Sequence, residues 1–306
     1  MTTTDASSAG PLRRQSPALA AILAALTAVA LIAAVVVPGP AEAGTVEVGL
    51  VAKHRKVTVA PGVKMKAWTF NGKVPGPVIR AEEGDTIEVT LRNADRMMAH
   101  SVDFHAAQIS PQRGFADVLP GETRTFSFVA RRPGVFLYHC GTSPVLQHIG
   151  MGMYGAILVD PAGGRPPARE KVLVQSEFYG PVEHGLIHPT YKAMQTHDPT
   201  FAAFNGRAFH YRDNPIHVPV GEPVRLYVVA AGPTLGSDFH VVGEIFDTVQ
   251  PDGNPLNLLS GVSTYGVPAG GGAMFELSFD EAGRYPFVTH SFRWADAGAL
   301  GFFEAS

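Results

Sequence analysis

The chain has very little cysteine and no excess of either charge, and both shortages limit what it can be. Cys140 is the only cysteine among 306 residues, so no intrachain disulfide can form and a disulfide-stapled fold is excluded. The formal net charge is −3, and acidic and basic residues are spread along the chain. This spread excludes the basic footprint of a nucleic-acid-binding protein. The expected partner is a small molecule or another protein.

Long hydrophobic runs are also missing, except near the N-terminus. Arg13 and Arg14 precede an uncharged run at 18–37, and Ala41-Glu42-Ala43 then supplies a small-x-small cleavage pattern. This arrangement predicts a signal peptide at 1–43 and export to the periplasm or the outer face of the cell. The alternative is that the run is retained as a membrane anchor, because about 20 apolar residues can span a bilayer.

The remaining sequence alternates polar and apolar residues in short segments separated by glycine and proline. Clear examples are Thr86–Leu91, Thr125–Val129 and Val224–Val228. Alternation with a period of two is typical of strands that bury one face. The sequence therefore predicts an all-β protein built as an antiparallel sandwich.

Three motifs occur twice in the same order, which indicates duplication of one sandwich. The paired motifs are Phe70-Asn71-Gly72 with Phe204-Asn205-Gly206, Asp103-Phe104-His105 with Asp238-Phe239-His240, and 152–156 with 298–302. The proline- and glycine-rich stretch 161–167 is the expected linker. We therefore expect one domain at 44–160 and a second at 168–306.

The first half contains four residues of the types that bind a blue copper ion. His100, Cys140, His148 and Met153 supply two imidazoles, a thiolate and a thioether. A trigonal His₂Cys set with a distant axial methionine is the blue-copper arrangement. Met151 competes for the axial position, and Met153 is preferred because it lies where the next strand resumes. The four residues predict a type 1 copper.

A second copper site is predicted from histidines that adjoin the first. His139 precedes Cys140, and consecutive side chains on a strand point to opposite faces, so His139 is available to another metal. His105 stands in a similar relation to His100. His290 lies at the repeat position of His139 and completes a three-histidine set with an open position for substrate.

The second half has lost its own blue copper. Ser291 stands at the position of Cys140, and Ala299 stands at the position of Met153. Of the duplicated ligands that follow the strand, only His290 remains.

These motifs resemble the two-domain copper-containing nitrite reductases of the multicopper oxidase superfamily, in the subgroup with the shorter copper loop. The resemblance covers the whole mature chain. It rests on Asn71–Pro77, Glu83–Asp85, His100–His105, Tyr138–Cys140 and the loop that ends in Gly152–Gly155.

The resemblance implies two tandem cupredoxin-like Greek-key β-sandwich domains that assemble as a homotrimer with two coppers per chain. The type 1 copper would take an electron from a small redox protein of the cupredoxin or cytochrome c type. The electron would pass through Cys140 and His139 to a type 2 copper, where nitrite becomes nitric oxide, a step of denitrification. His105 and His139 would come from one subunit and His290 from its neighbour.

The family also implies two catalytic residues, Asp103 and His240. Nitrite reduction consumes two protons and releases water, so an acid and base pair beside the metal is chemically required. Another subgroup carries its histidine five residues later, where this chain has Ile245. His240 is therefore the expected catalytic histidine.

Other functions need features that this sequence lacks. A laccase-like oxidase needs four His-x-His pairs for three coppers, and the chain has none, because Gly141 follows Cys140 and Ser101 follows His100. A non-catalytic electron carrier would not need His105, His139 and His290 together. An oxidase of other small nitrogen compounds or of metal ions remains open. The other histidines are expected to be surface or hydrogen-bonded residues: His54, His184, His188, His197, His210 and His217.

Overall fold

The structure is a computed structural model that describes residues 43–306. The predicted signal or anchor segment at 1–43 lies outside the described residues except for Ala43. Within the described range, no helix is both long and apolar enough to cross a bilayer.

The first half of the chain folds into eight strands and two short helices. Their bounds are β1 (Thr45–Ala60), β2 (Val63–Phe70), β3 (Ile79–Glu82), β4 (Thr86–Asn93), β5 (Asp103–Phe104), α1 (Pro111–Gly114), β6 (Thr123–Val129), β7 (Gly134–His139), α2 (Val145–Gly150) and β8 (Tyr154–Asp160).

The second half contributes thirteen strands and three short helices. Their bounds are β9 (Arg169–Tyr179), β10 (Val182–Glu183), β11 (Leu186–Ile187), α3 (Tyr191–Gln195), β12 (Pro199–Phe204), α4 (His210–Asp213), β13 (Ile216–Val218), β14 (Val224–Gly232), β15 (Ser237–Val241), β16 (Phe246–Pro251), β17 (Leu259–Val262), β18 (Thr264–Val267), β19 (Gly272–Leu277), β20 (Gly283–Thr289), α5 (Phe292–Asp296) and β21 (Leu300–Ala305).

Each half packs two sheets face to face. In the first half the sheets have the orders β10-β11-β2-β1-β4-β6 and β3-β8-β7-β5, and in the second half β12-β9-β14-β19-β16-β17 and β13-β21-β20-β15-β18. One core of buried side chains fills each sandwich. Among the described residues, β10 and β11 of the second half are the only strands that join a sheet of the other half. The all-β, two-sandwich architecture is as predicted.

The pairing is less uniform than the expected antiparallel sandwich. β1 pairs with β4 in parallel, and the corresponding strands β9 and β14 of the second half do the same. The chain crosses to the opposite sheet as β3 before it returns as β4, so β4 runs in the same direction as β1. This crossover is the Greek-key element of each sandwich.

The burial of strand β14 also differs from the prediction. Alternation at 224–228 predicts one exposed face, yet every residue of β14 is buried. Tyr227 and Val229 pack against Leu137 and Leu158 of the first sandwich, so the outer face of β14 is covered by the neighbouring domain.

The duplicated Asn-Gly motif forms the same turn in both halves. Asn71–Gly72 and Asn205–Gly206 have φ values of 56° and 74°, and of 52° and 74°. Asparagine and glycine tolerate this left-handed region better than other residues. Each asparagine side chain also accepts a hydrogen bond from the preceding long strand, from Val51 N–H at 2.6 Å and Val174 N–H at 2.8 Å. The repeat is therefore structural and gives a residue correspondence between the halves.

Candidate metal centres

Three of the predicted type 1 ligands meet inside the first sandwich. His100, Cys140 and His148 are buried, and one ligand atom from each lies within 4.8 Å of the others. Nδ1 of His100 is 3.9 Å from Sγ of Cys140.

The three ligands lie on different backbone elements. Cys140 directly follows β7, and His148 lies in the one-turn helix α2 of the same loop. His100 lies outside the strands, at a single bridge to Val118 between β4 and β5. The irregular backbone around His100 lets its ring turn into the sandwich end.

The two methionines of the loop have different surroundings. Met153 is fully buried in the same core cluster as Cys140, and its carbonyl oxygen accepts a hydrogen bond from Cys140 N–H at 3.0 Å. Met151 packs instead with Tyr179 and Met194 of the second half. This packing favours Met153 as the axial ligand.

The chemistry of this donor set fits copper. Burial raises the pKa of the Cys140 thiol and lowers the pKa of the His100 and His148 imidazoles, so all three are uncharged without a cation. A bound cation makes the thiolate favourable and leaves the imidazoles neutral, as metal ligation requires. Two imidazoles, a thiolate and a thioether suit both oxidation states of copper.

A carboxylate that the sequence analysis missed holds one ligand in place. Oδ2 of Asp95 accepts a hydrogen bond from Nε2 of His100 at 3.0 Å and lies 2.8 Å from Nε2 of His54. Burial alone would raise the pKa of Asp95, but the hydrogen bonds and the neighbouring imidazoles lower it overall. The hydrogen bond fixes the His100 tautomer and leaves Nδ1 for the metal. No spacing rule in the sequence links Asp95 to His54.

A second cluster brings together Asp103, His105 and His139. Asp103 pairs with His139 across β5 and β7, and Oδ2 of Asp103 is 3.9 Å from Nε2 of His139. Nε2 of His105 is 3.1 Å from Nε2 of His139. Nδ1 of His139 donates to the carbonyl oxygen of Cys140 at 2.9 Å, so its Nε2 is free to bind a cation.

The two remaining predicted residues form a separate pair. The rings of His240 and His290 are 5.5 Å apart between centroids. Nδ1 of His240 donates to the carbonyl oxygen of Ser263 at 2.6 Å. Neither histidine belongs to a metal-ligand cluster among residues 43–306 of this single chain. The chain alone therefore unites His105 and His139 but not His290.

Comparisons with known proteins agree with this architecture. Family models described as multicopper oxidase match residues 51–163 and 183–305, which together take in most of both sandwiches. A solved structure of a copper nitrite reductase from Nitrosomonas europaea superposes with a TM-score of 0.80 at 41% identity, over 86% of this chain and 94% of that one.

Two curated relatives carry the same name. The copper-containing nitrite reductase of Neisseria meningitidis serogroup B is 42% identical over 263 residues, which are 81% of this chain and 65% of the relative. The chain thus spans slightly less than two thirds of that relative's length. The copper-containing nitrite reductase of Alcaligenes xylosoxydans is 32% identical over 75% of this chain and 76% of its own length.

Two cupredoxin sandwiches with a buried His-Cys-His cluster define a two-domain multicopper oxidase. Within that class, the chain belongs to the family of copper-containing nitrite reductases.

Proposed function

We propose that this protein reduces nitrite to nitric oxide with two coppers per chain. The observation that carries the proposal is the adjacency of the two clusters, because His139 of the second cluster and Cys140 of the first are consecutive residues. The reaction takes one nitrite, one electron and two protons, and it gives one nitric oxide and one water.

Copper bound at the two clusters supplies one-electron redox chemistry and a Lewis-acid position for a nitrite oxygen. His100, Cys140, His148 and Met153 would hold the type 1 ion. His105 and His139 would hold the type 2 ion, together with His290 of a neighbouring copy. The peptide bond between His139 and Cys140 gives a short covalent route for the electron.

Asp103 and His240 are proposed to move the protons. The Asp103 carboxylate is about one-third exposed and lies on the open side of His139, so it can exchange protons with solvent and hydrogen-bond a bound nitrite oxygen. Nδ1 of His240 is held by the carbonyl oxygen of Ser263, so Nε2 is the nitrogen that can take up a proton from solvent and pass it on. Each group would take up one proton before the reaction and give it to the departing oxygen, which accounts for the two protons consumed.

A homotrimer, the assembly that the family resemblance implies, is proposed to supply the third imidazole that the second cluster lacks within the described chain. His290 is exposed beside the half-exposed Phe292, with a ring separation of 4.8 Å. An exposed aromatic group beside a histidine that lies outside the metal-ligand clusters supports a subunit interface there.

Two further proposals concern the cellular setting. The electron would come from a small redox protein of the cupredoxin or cytochrome c type. The protein would be exported, on the evidence of the cleavage pattern at Ala41–Ala43. N-terminal sequencing of the purified protein tests export, since a mature chain that begins at Gly44 is expected and an intact run at 18–37 indicates an anchor instead.

Copper content and substrate choice together test the proposed activity. We expect two coppers per chain, a type 2 signal in electron paramagnetic resonance, and anaerobic nitric oxide formation with a reduced dye. One copper per chain with no type 2 signal would support an electron carrier. Rapid oxygen consumption without nitric oxide would support a laccase-like oxidase.

A further inference from the structure

The first copper cluster is closed to direct contact with another protein. The side chains of His100 and His148 are 0% and 3% exposed, so an electron donor cannot touch either imidazole. Electron transfer into this cluster therefore needs an exposed group that contacts these rings.

His54 and Trp68 are such groups. The His54 side chain is 47% exposed, and its ring stacks on Trp68 with centroids 6.0 Å apart and planes 11° apart. Trp68 in turn packs 4.9 Å from His148 and 6.1 Å from His100 between ring centroids. An aromatic path thus leads from solvent to both copper imidazoles, and Oδ2 of Asp95 lies between His54 and His100, 2.8 Å and 3.0 Å from their Nε2 atoms.

The second sandwich acts as an internal control for this pair. The repeat places Glu177 at the position of His54 and Ala202 at the position of Trp68, and both pairs face each other across the same two strands. Glu177 is buried and accepts hydrogen bonds from the backbone of Thr234 and Leu235. The half without a blue copper thus lacks the exposed aromatic pair.

Lysines surround the exposed end of the path. Lys56 lies directly opposite Lys66, two residues beyond the His54 and Trp68 pair and therefore on the same face, with Lys64 next. All three lysines are exposed, and none forms an ion pair within residues 43–306. Like charges directly opposite each other destabilise a strand pair. An anionic partner would therefore reduce the repulsion between Lys56 and Lys66 in the free protein.

We propose that this surface, the donor face formed by His54, Lys56, Lys64 and Lys66, binds an acidic redox protein. The bound donor loses one electron, which passes through Trp68 to the copper held by His100, Cys140 and His148, with no bond made or broken. The inference rests on the proposed function only in requiring a copper in the first cluster.

The test uses the copper-loaded protein without nitrite, so it does not depend on nitrite turnover. Reduced cytochrome b5, an acidic haem protein, is the donor, and loss of the blue absorption together with loss of the reduced haem band reports electron transfer. Binding is measured separately by titration with redox-inactive, zinc-substituted cytochrome b5. The wild-type rate should fall steeply with added salt, because screening weakens the attraction between opposite charges.

A matched pair of charge reversals locates the interaction. K56E/K66E should raise the dissociation constant for cytochrome b5 at least tenfold and remove most of the salt dependence. R131E/R132E makes the same change in net charge at two exposed arginines, which lie at the other end of β7 from Cys140. This variant should change the dissociation constant and the salt dependence less than twofold. Equal effects of the two double variants, or no effect of K56E/K66E, would overturn the docking site.

The route through Trp68 has its own readout. Trp68→Leu should lower the electron-transfer rate at saturating cytochrome b5 at least tenfold while the dissociation constant stays within twofold. An unchanged saturating rate would contradict the route. A small reduced dye is the control for the copper site of K56E/K66E. Bleaching of the blue absorption at the wild-type rate shows that the site is intact. A slower reaction with the dye would place the damage in the copper site and overturn the docking explanation.

Discussion

Nε2 of His105 and Nε2 of His139 lie 3.1 Å apart. Two protonated imidazoles would repel each other at this distance. Two nitrogens bound to one tetrahedral ion at about 2.0 Å each would be about 3.3 Å apart, a geometry known for zinc and suited to other first-row metals. The pair is thus close to the spacing of two ligands on one cation, with Asp103 beside it.

The placement of His290 leads to a complementation test. His290→Ala should lose type 2 copper and nitrite turnover but keep the blue absorption. His105→Ala should have the same effect, because it removes the type 2 ligand that the other subunit of the site would supply. If His290 serves a neighbouring subunit, mixed oligomers of the two variants contain some complete sites, because an intact His105 and His139 then meet an intact His290.

Activity of the refolded mixture decides between the arrangements. We expect a measurable fraction of the wild-type rate in the mixture and almost none in either variant alone. Wild-type protein taken through the same refolding is the control. An inactive mixture from variants that still co-assemble would mean that His290 does not complete its neighbour's site.

Cys140→Ala removes the thiolate of the first cluster. We expect loss of the blue absorption and of donor-driven turnover, while the type 2 signal remains, since His105 and His139 do not touch the Cys140 side chain. Cys140→Ser is the matched control for volume and should also be colourless. Visible absorption like that of the wild type in either variant would remove Cys140 from the copper site.

Asp103→Asn keeps the size of the side chain but removes its acid and base function. Nitrite turnover should slow by about 10² or more, the usual contribution of a general acid, with both coppers still bound. The measurement is steady-state nitric oxide formation alongside copper content. Asp238→Asn, at the repeat position, is the control and should have a much smaller effect, and a wild-type rate in Asp103→Asn would exclude Asp103 from proton transfer.

Asp95→Asn tests whether Asp95 lowers the reduction potential of the copper in the first cluster. An ionised carboxylate on Nε2 of His100 stabilises the more positive oxidation state of the copper. Replacing it with a neutral amide should raise the reduction potential, by roughly 60 mV if the effect is tenfold in a one-electron equilibrium. The potential is read by redox titration of the blue absorption, and His54→Gln separates the contribution of the outer histidine. A potential that falls or stays constant would contradict this role.

The copper-free protein should lose stability in mild acid. Burial lowers the pKa of His100 and His148 in the folded state. The unfolded chain therefore takes up protons near the ordinary histidine pKa of about 6.5, before the folded chain does. The free energy of unfolding should fall as the pH drops through that value towards the lowered folded pKa.

Denaturant unfolding between pH 8 and pH 5 measures this loss. His148→Gln should reduce the pH dependence, whereas His217→Gln should not, because the His217 side chain is 73% exposed. Equal pH dependence in the wild type and in His148→Gln would show that the buried imidazole is not responsible.

The sequence was sufficient for the ligands that follow a spacing rule. Cys140, His148 and Met153 lie on one loop, and the alternation of side chains on β7 separates His139 from Cys140. The repeat also pointed to the altered second sandwich through Ser291 and Ala299.

Contacts that depend on strand register and loop path could not be predicted. His54 comes close to Asp95 because β1 continues past the end of its pairing with β4 at Ala52 and Asn93, and Asp95 lies in the loop directly after β4. Lys56 and Lys66 become neighbours only through the register of β1 with β2. In the sequence they are ordinary dispersed charges, so the basic surface was not visible there.

Anaerobic conversion of ¹⁵N-labelled nitrite to nitric oxide, followed by mass spectrometry of the gas, is the decisive measurement of the proposed reaction. We expect one labelled nitric oxide for each electron supplied by the reduced dye, and about 10²-fold slower formation of it in Asp103→Asn at unchanged copper content. Labelled nitrite that remains unconsumed by protein loaded with both coppers would contradict the proposed reaction.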